Sequence, residues 1–250
     1  MKDIYIGDEG KGTSLVLVHG FLGSSKMWRP QIDFFKEYFR VITPDLPGFG
    51  KSNKAKSHNS INSIANLLLD CLEEKKIDKF YLLGHSMGGM IVQEMVKKSG
   101  NKILKLICYG TGPVGEMPGR FETIDQSRES MKKKGLEITA KNIAQTWFVK
   151  GRDAKYFDIC IDSGKQTSID AADNALIACK NWHGIDALRN IKNQTLILWG
   201  DKDKSYNLEQ VQILQKKIEK SKLVIFKDCA HNAHLEQPDQ FNMVLKNFLN

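Results

Sequence analysis

Seven short runs of β-forming residues recur along the chain, at 4–6, 15–18, 40–43, 80–83, 104–109, 196–199 and 223–226. Most are apolar without interruption rather than alternating. Strands covered on both faces read this way, as in a parallel sheet enclosed by helices. Helical periodicity fills the spaces between them. Ile61, Ile64, Ala65, Leu68 and Leu69 recur at helical spacing behind Ser60, which reads as the N-cap. Met90, Ile91, Met95 and Val96 do the same before Gly100, a stop signal. Val211, Leu214 and Ile218 mark a third helix, and Phe241, Val244, Leu245 and Phe248 a closing one. Strands alternating with helices predict an α/β fold with a mostly parallel central sheet flanked by helices.

The alternation breaks between about 111 and 190, where strand signals are few and helix-like segments follow Gly112-Pro113 and Pro118-Gly119. The expected organisation is a core of residues 1–112 and 191–250 with a helical cap, 113–190, inserted between two sheet strands. Net charge is +8, carried by 31 Lys against 6 Arg. The lysines are scattered, with 132–134 the tight run, whereas nucleic-acid readers cluster arginine with aromatics on one face. A solvated basic surface is therefore expected, with no nucleic-acid partner. No apolar run approaches the roughly 20 residues of a membrane helix, and the first residues lack the apolar core of a secretory leader. Five cysteines at wide spacing (Cys71, Cys108, Cys160, Cys179, Cys229) form no CxxC pair, which excludes zinc ribbons and thioredoxin chemistry. Unpaired thiols suit a reducing cytoplasm.

The sharpest chemical signal is Gly84-His85-Ser86-Met87-Gly88, directly after the run at 80–83 and directly before a helix. A serine on so tight a strand-to-helix turn presents its hydroxyl at the carboxyl end of a central strand, and the following helix aims its amide groups at the same point. A hydroxyl needs a base to become a nucleophile. His231 stands just beyond the run at 223–226, with His234 three residues on; His231, nearer the strand end, is preferred. An acid must orient the imidazole. Asp201 and Asp203 both follow the run at 196–199. Asp203 lies further out, within reach of a neighbouring strand end, while Asp201 is expected to bond local turn amides. His19-Gly20-Phe21-Leu22-Gly23 follows the run at 15–18, so the Phe21 amide, with that of Met87, can serve as an oxyanion hole. His19 and His85 read as structural. Gly50-Lys51-Ser52 resembles the end of a phosphate loop, but Asp45 stands where that loop needs glycine.

With these residues in place, the chain resembles the α/β-hydrolase family over nearly all its length. The likeness rests on His19-Gly20-Phe21, Asp45-Leu46-Pro47-Gly48-Phe49-Gly50-Lys51-Ser52, Gly84-His85-Ser86-Met87-Gly88-Gly89, Gly200-Asp201-Lys202-Asp203, and His231 followed by Glu236 and Pro238. It implies the acid three residues after Gly200, hence Asp203, and the base five before Glu236, hence His231. It implies that 113–190 is the family's lid. The segment 120–150, ending in Trp147-Phe148, is loosely similar to that of 3-oxoadipate enol-lactonases. Many members begin with a β-hairpin, where this chain has one strand before Leu15, so a sheet one strand short is expected. The resemblance implies a serine hydrolase cleaving a small carboxylic ester or (enol-)lactone, with no metal or organic cofactor. Leu22 and Trp147 are the expected pocket residues. Two alternatives remain: a C–C bond hydrolase of the meta-cleavage type, and a ligand receptor that keeps the three residues but turns over very slowly.

Overall fold

A computed structural model describes residues 4–116 and 122–250. Pro118, Gly119 and Arg120, part of the expected punctuation and cap, lie outside the described residues. Seven strands form one sheet: β1 (Ile6–Glu9), β2 (Ser14–Val18), β3 (Arg40–Pro44), β4 (Phe80–His85), β5 (Ile103–Tyr109), β6 (Thr195–Gly200) and β7 (Ser221–Phe226). Their spatial order is β1-β3-β2-β4-β5-β6-β7. β1 runs antiparallel to β3, and every other neighbouring pair is parallel.

The uninterrupted apolar runs serve two cores at once. Leu15 and Leu17 enter a core with Ile32, Phe35, Phe241 and Leu245, whereas Val16 and Val18 enter another with Ile64, Leu68, Ile91 and Met95. Side chains of a strand alternate between its faces, so both sets must be apolar when helices cover both faces. The first core is closed by α1 (Arg29–Phe35) and later by the C-terminal helix; the second by α2 (Ile61–Glu74) and α3 (Met87–Ser99). Between β5 and β6 lie α4 (Ile124–Lys134), α5 (Leu136–Ala144), α6 (Phe157–Lys165) and α7 (Ile169–Lys180). α8 (Leu208–Lys217) joins β6 to β7, and α9 (Ala233–Glu236) and α10 (Pro238–Leu249) close the chain. None of the helices described is long and apolar enough to cross a membrane.

Two local expectations shift, and one helix was not announced. The first strand is Ile6–Glu9 rather than 4–6. As an edge strand it needs no apolar run: Asp8 pairs with Arg40 at 2.6 Å and Glu9 with Arg29 at 2.9 Å. Ser60 is extended at the start of α2 but makes no side-chain cap; its carbonyl instead accepts the Ser63 hydroxyl at 2.8 Å. α1 has only seven residues, with Pro30 in its first turn, too few for periodicity to announce.

The strand order also fixes where a site can form. From β2 the chain goes to β3 on one side, then crosses back to β4 on the other. That reversal opens a crevice beyond the carboxyl ends of β2 and β4, the place where open α/β sheets bind ligands. The His19–Gly23 loop follows β2, and Ser86 follows β4.

Candidate active site

Ser86 holds φ 57° and ψ −121° between β4 and α3. A non-glycine residue there stores on the order of 1–3 kcal/mol of strain, which the surroundings must hold. The Ser86 amide donates to the Tyr109 carbonyl at 2.9 Å, and the Gly89 amide to the Ser86 carbonyl at 2.8 Å. Glycine at 84 is required by close approach, since a Cβ there would lie 2.2 Å from the Gly88 carbonyl oxygen. At Gly20 a Cβ would lie 2.8 Å from the Ser86 Cβ, so the loop after β2 passes directly against the serine.

That loop turns sharply. Gly23 donates to the Gly20 carbonyl at 3.1 Å, and Leu22 takes φ 55°. Phe21 and Met87 line a cavity of about 40 Å³ together with Ser86 and His231. Met87 is the first residue of α3, so its amide is one of the donors a helix leaves without an internal partner. His19 braces the loop. Its Nε2 accepts the Leu46 amide at 3.0 Å, and its Nδ1 donates to the Gly20 carbonyl at 2.8 Å. Burial lowers its pKa, which suits the neutral ring these two bonds require.

Asp203 and His231 meet at the ends of β6 and β7. Asp203 Oδ2 lies 2.8 Å from His231 Nδ1, and both side chains are buried. A carboxylate at Nδ1 places the proton there and leaves Nε2 as the basic nitrogen. The other oxygen, Oδ1, accepts the amides of Ser205 (2.6 Å) and Tyr206 (3.2 Å). Asp203 therefore makes the turn bonds expected of Asp201. The Asp201 carboxylate instead lies 3.9 Å from the ammonium groups of Lys202 and Lys227.

His231 is held on every side. Its carbonyl accepts from His85 Nε2 at 3.0 Å and from the Tyr109 hydroxyl at 2.9 Å. Tyr206 stacks on its ring at 5.7 Å between centroids, inclined 16°. Glu236 bridges the loop to the segment after Trp147: Oε2 accepts the Ala230 amide at 2.6 Å and Oε1 the Val149 amide at 2.7 Å. Burial raises the Glu236 pKa, against these two bonds. The other histidines are not at the cavity. Burial, then the nearby His231, push the pKa of His85 well down. His234, whose Nδ1 lies 3.0 Å from the Tyr109 hydroxyl, is held down to about 3, again by burial first.

The remaining cavity wall comes from Met90, Gly115, Ile143, Trp147, Leu176, Cys179, Ser205 and Tyr206. Trp147, expected at the pocket, lines it and has its ring 6.2 Å from that of His231. Leu22, the other expected pocket residue, is a correction. It is 1% exposed and belongs to the apolar core rather than to the lining residues, because its side chain packs against Gly164 of α6, where a Cβ would lie 3.9 Å from its own. Tyr206 was not singled out by the sequence. Its ring contact with His231 leaves no local spacing that the sequence could show.

Similar proteins share the architecture. The chain is 27% identical to a pimeloyl-[acyl-carrier protein] methyl ester esterase of Legionella pneumophila, over 99% of both chains. It is 28% identical to a 2-hydroxy-6-oxononadienedioate/2-hydroxy-6-oxononatrienedioate hydrolase of Escherichia coli, covering 98% of this chain and 90% of that one. An esterase structure from Exiguobacterium antarcticum superposes with a TM-score of 0.91 at 25% identity, over 98% of this chain and 95% of that one. These relatives support hydrolase activity. The family model described as alpha/beta hydrolase fold matches residues 13–142, and the chain belongs to that family.

Proposed function

We propose that this protein is a serine hydrolase that cleaves a small carboxylic ester or (enol-)lactone through an acyl-enzyme. The observation that carries the reading is the 2.8 Å contact of Asp203 with His231, on the rim of the cavity that Ser86 also lines. Ser86 Oγ attacks the carbonyl carbon, and its proton passes to His231 Nε2. Asp203 holds the imidazolium that forms. The amides of Phe21 and Met87 receive the oxyanion, each contributing about 3 kcal/mol to the barrier reduction. The carbonyl reforms as the C–O bond to the leaving group breaks, and His231 returns the proton to that oxygen. Water then attacks the acyl-Ser86 carbon, gives a proton to His231, and releases the acid while Ser86 regains its proton. In this reading helices α4–α7 form the lid over the site.

The test is Ser86→Ala with p-nitrophenyl acetate. Turnover falls to background while far-ultraviolet circular dichroism is unchanged. Undiminished turnover in a folded variant contradicts the assignment. A second reading, C–C bond hydrolysis, is supported by the likeness to the Escherichia coli hydrolase. Faster turnover of a vinylogous 1,5-diketone acid than of any ester would favour it.

A further inference from the structure

We infer that His85 and Tyr109 are positioning residues for the base: together they fix the His231 carbonyl relative to Ser86, an inference that rests on the serine hydrolase reading. The two residues pair directly across β4 and β5, so their side chains leave the same face of the sheet. Their rings stack 4.4 Å apart at 26°. His85 precedes Ser86 in the chain, and the Tyr109 carbonyl accepts the Ser86 amide at 2.9 Å. Each residue thus holds the serine through its backbone. Each also holds the base through its side chain. His85 Nε2 donates to the His231 carbonyl at 3.0 Å, and the Tyr109 hydroxyl donates to the same oxygen at 2.9 Å. β5 and β6 stand between β4 and β7, so serine and base follow strands that do not pair. These two side chains bridge the gap.

The chemistry of both donors is set by their surroundings. A carbonyl only accepts, so the single hydroxyl proton of Tyr109 goes to it. The His234 amide at 3.1 Å and His234 Nδ1 at 3.0 Å then occupy the lone pairs of that hydroxyl. Tyr109 is fully buried, and burial raises its pKa well above the ordinary value, so the donor keeps its proton. Burial first, and His231 next, push the pKa of His85 well down, so it offers an N–H without a charge. Neutrality matters at this place. A lysine or arginine could hold the carbonyl equally well, but it would oppose the imidazolium that forms when His231 takes the Ser86 proton. With Asp203 at Nδ1, the base is fixed at two points, one on its backbone and one on its ring.

The experiment measures hydrolysis of p-nitrophenyl acetate and the rate at which a fluorophosphonate labels Ser86. His231 moves the proton in acylation and deacylation alike, so a displaced base slows both steps and leaves KM nearly unchanged. Tyr109→Phe removes only the hydroxyl. It is expected to lower kcat and the labelling rate about tenfold each, with KM within about twofold of wild type. A folded Tyr109→Phe enzyme in which either rate falls less than about threefold overturns the inference, as does a loss carried by KM with kcat intact. A lowered melting temperature alone does not support it. The pair His85→Leu and His85→Gln decides independently if Tyr109→Phe does not fold. Leucine offers no N–H and lowers both rates about tenfold, whereas glutamine keeps a donor and recovers at least about threefold of that loss. Equal rates in the two variants overturn the inference. If the wild type neither turns over an ester nor takes the label at Ser86, the serine hydrolase reading itself falls, and this inference with it.

Discussion

His231 is restrained through its ring by Asp203 and Tyr206 and through its carbonyl by His85 and Tyr109. The two kinds of restraint make different predictions. Asp203→Asn keeps an oxygen for the Ser205 and Tyr206 amides but offers an N–H to His231 Nδ1, which favours the wrong tautomer. We expect an unchanged melting temperature and a fall in kcat on the order of 10⁴, measured by steady-state ester hydrolysis. The buried His234 tests the environment instead. Its pKa is about 3 in the fold against an ordinary value of 6.5. A depressed histidine takes up its proton on unfolding, so the stability it lends is full above pH 6.5 and drains away as pH falls toward 3. Urea unfolding of His234→Gln should therefore lose about 2 kcal/mol less than wild type between pH 7 and pH 5; equal losses would contradict this. Placement at strand ends was enough, in the sequence, to bring positions 86, 203 and 231 to one rim. The contacts of Tyr109 and Tyr206 were not legible, because each joins elements far apart in the chain and leaves no local spacing. Asp203 was read correctly as the partner of His231, but its turn bonds to Ser205 and Tyr206, expected of Asp201, were hidden, since both aspartates stand in one turn and only the path beyond it distinguishes them.

Among elements, the Glu236 bridge matters most. One carboxylate ties the turn before His231 to Val149, and the Asn232 amide donates to the Trp147 carbonyl at 3.0 Å beside it. The loop that carries the imidazole and the segment that carries the cavity tryptophan therefore move together. Glu236→Ala leaves two amides without their acceptor, and we expect a loss of about 2–3 kcal/mol in urea unfolding, with kcat falling more than KM changes. Glu236→Gln, which keeps one acceptor oxygen, recovers part of both. Elements announced by long apolar periodicity, such as α2 and α10, were readable to within a few residues. β1 was read slightly early, because it is a polar edge strand held by arginine pairs, and α1, a helix of seven residues, was not announced.

At the scale of the whole molecule, one strand-order reversal places the loop after β2 and the turn after β4 at a common crevice, and the helices between β5 and β6 supply much of its remaining wall. The alternation of apolar runs and helical periods was sufficient to read the mostly parallel sheet and its flanking helices, because both faces of the sheet had to be covered. The volume of the crevice was not readable, since it depends on how α3, α5 and α7 pack. The surface charge makes a separate prediction. With no lysine or arginine among the described residues that line the cavity, kcat/KM for a neutral ester should change by less than about twofold between 20 and 200 mM salt; a steep fall with salt would contradict this. The most direct test of the account is to quench the reaction with p-nitrophenyl acetate in acid within the first turnover and map the acetyl group by peptide mass spectrometry. The account predicts one acetyl group on the peptide containing Ser86, absent when Ser86→Ala is treated in the same way. Sustained turnover with no acetyl group there, or with the group on another residue that is needed for turnover, would contradict it.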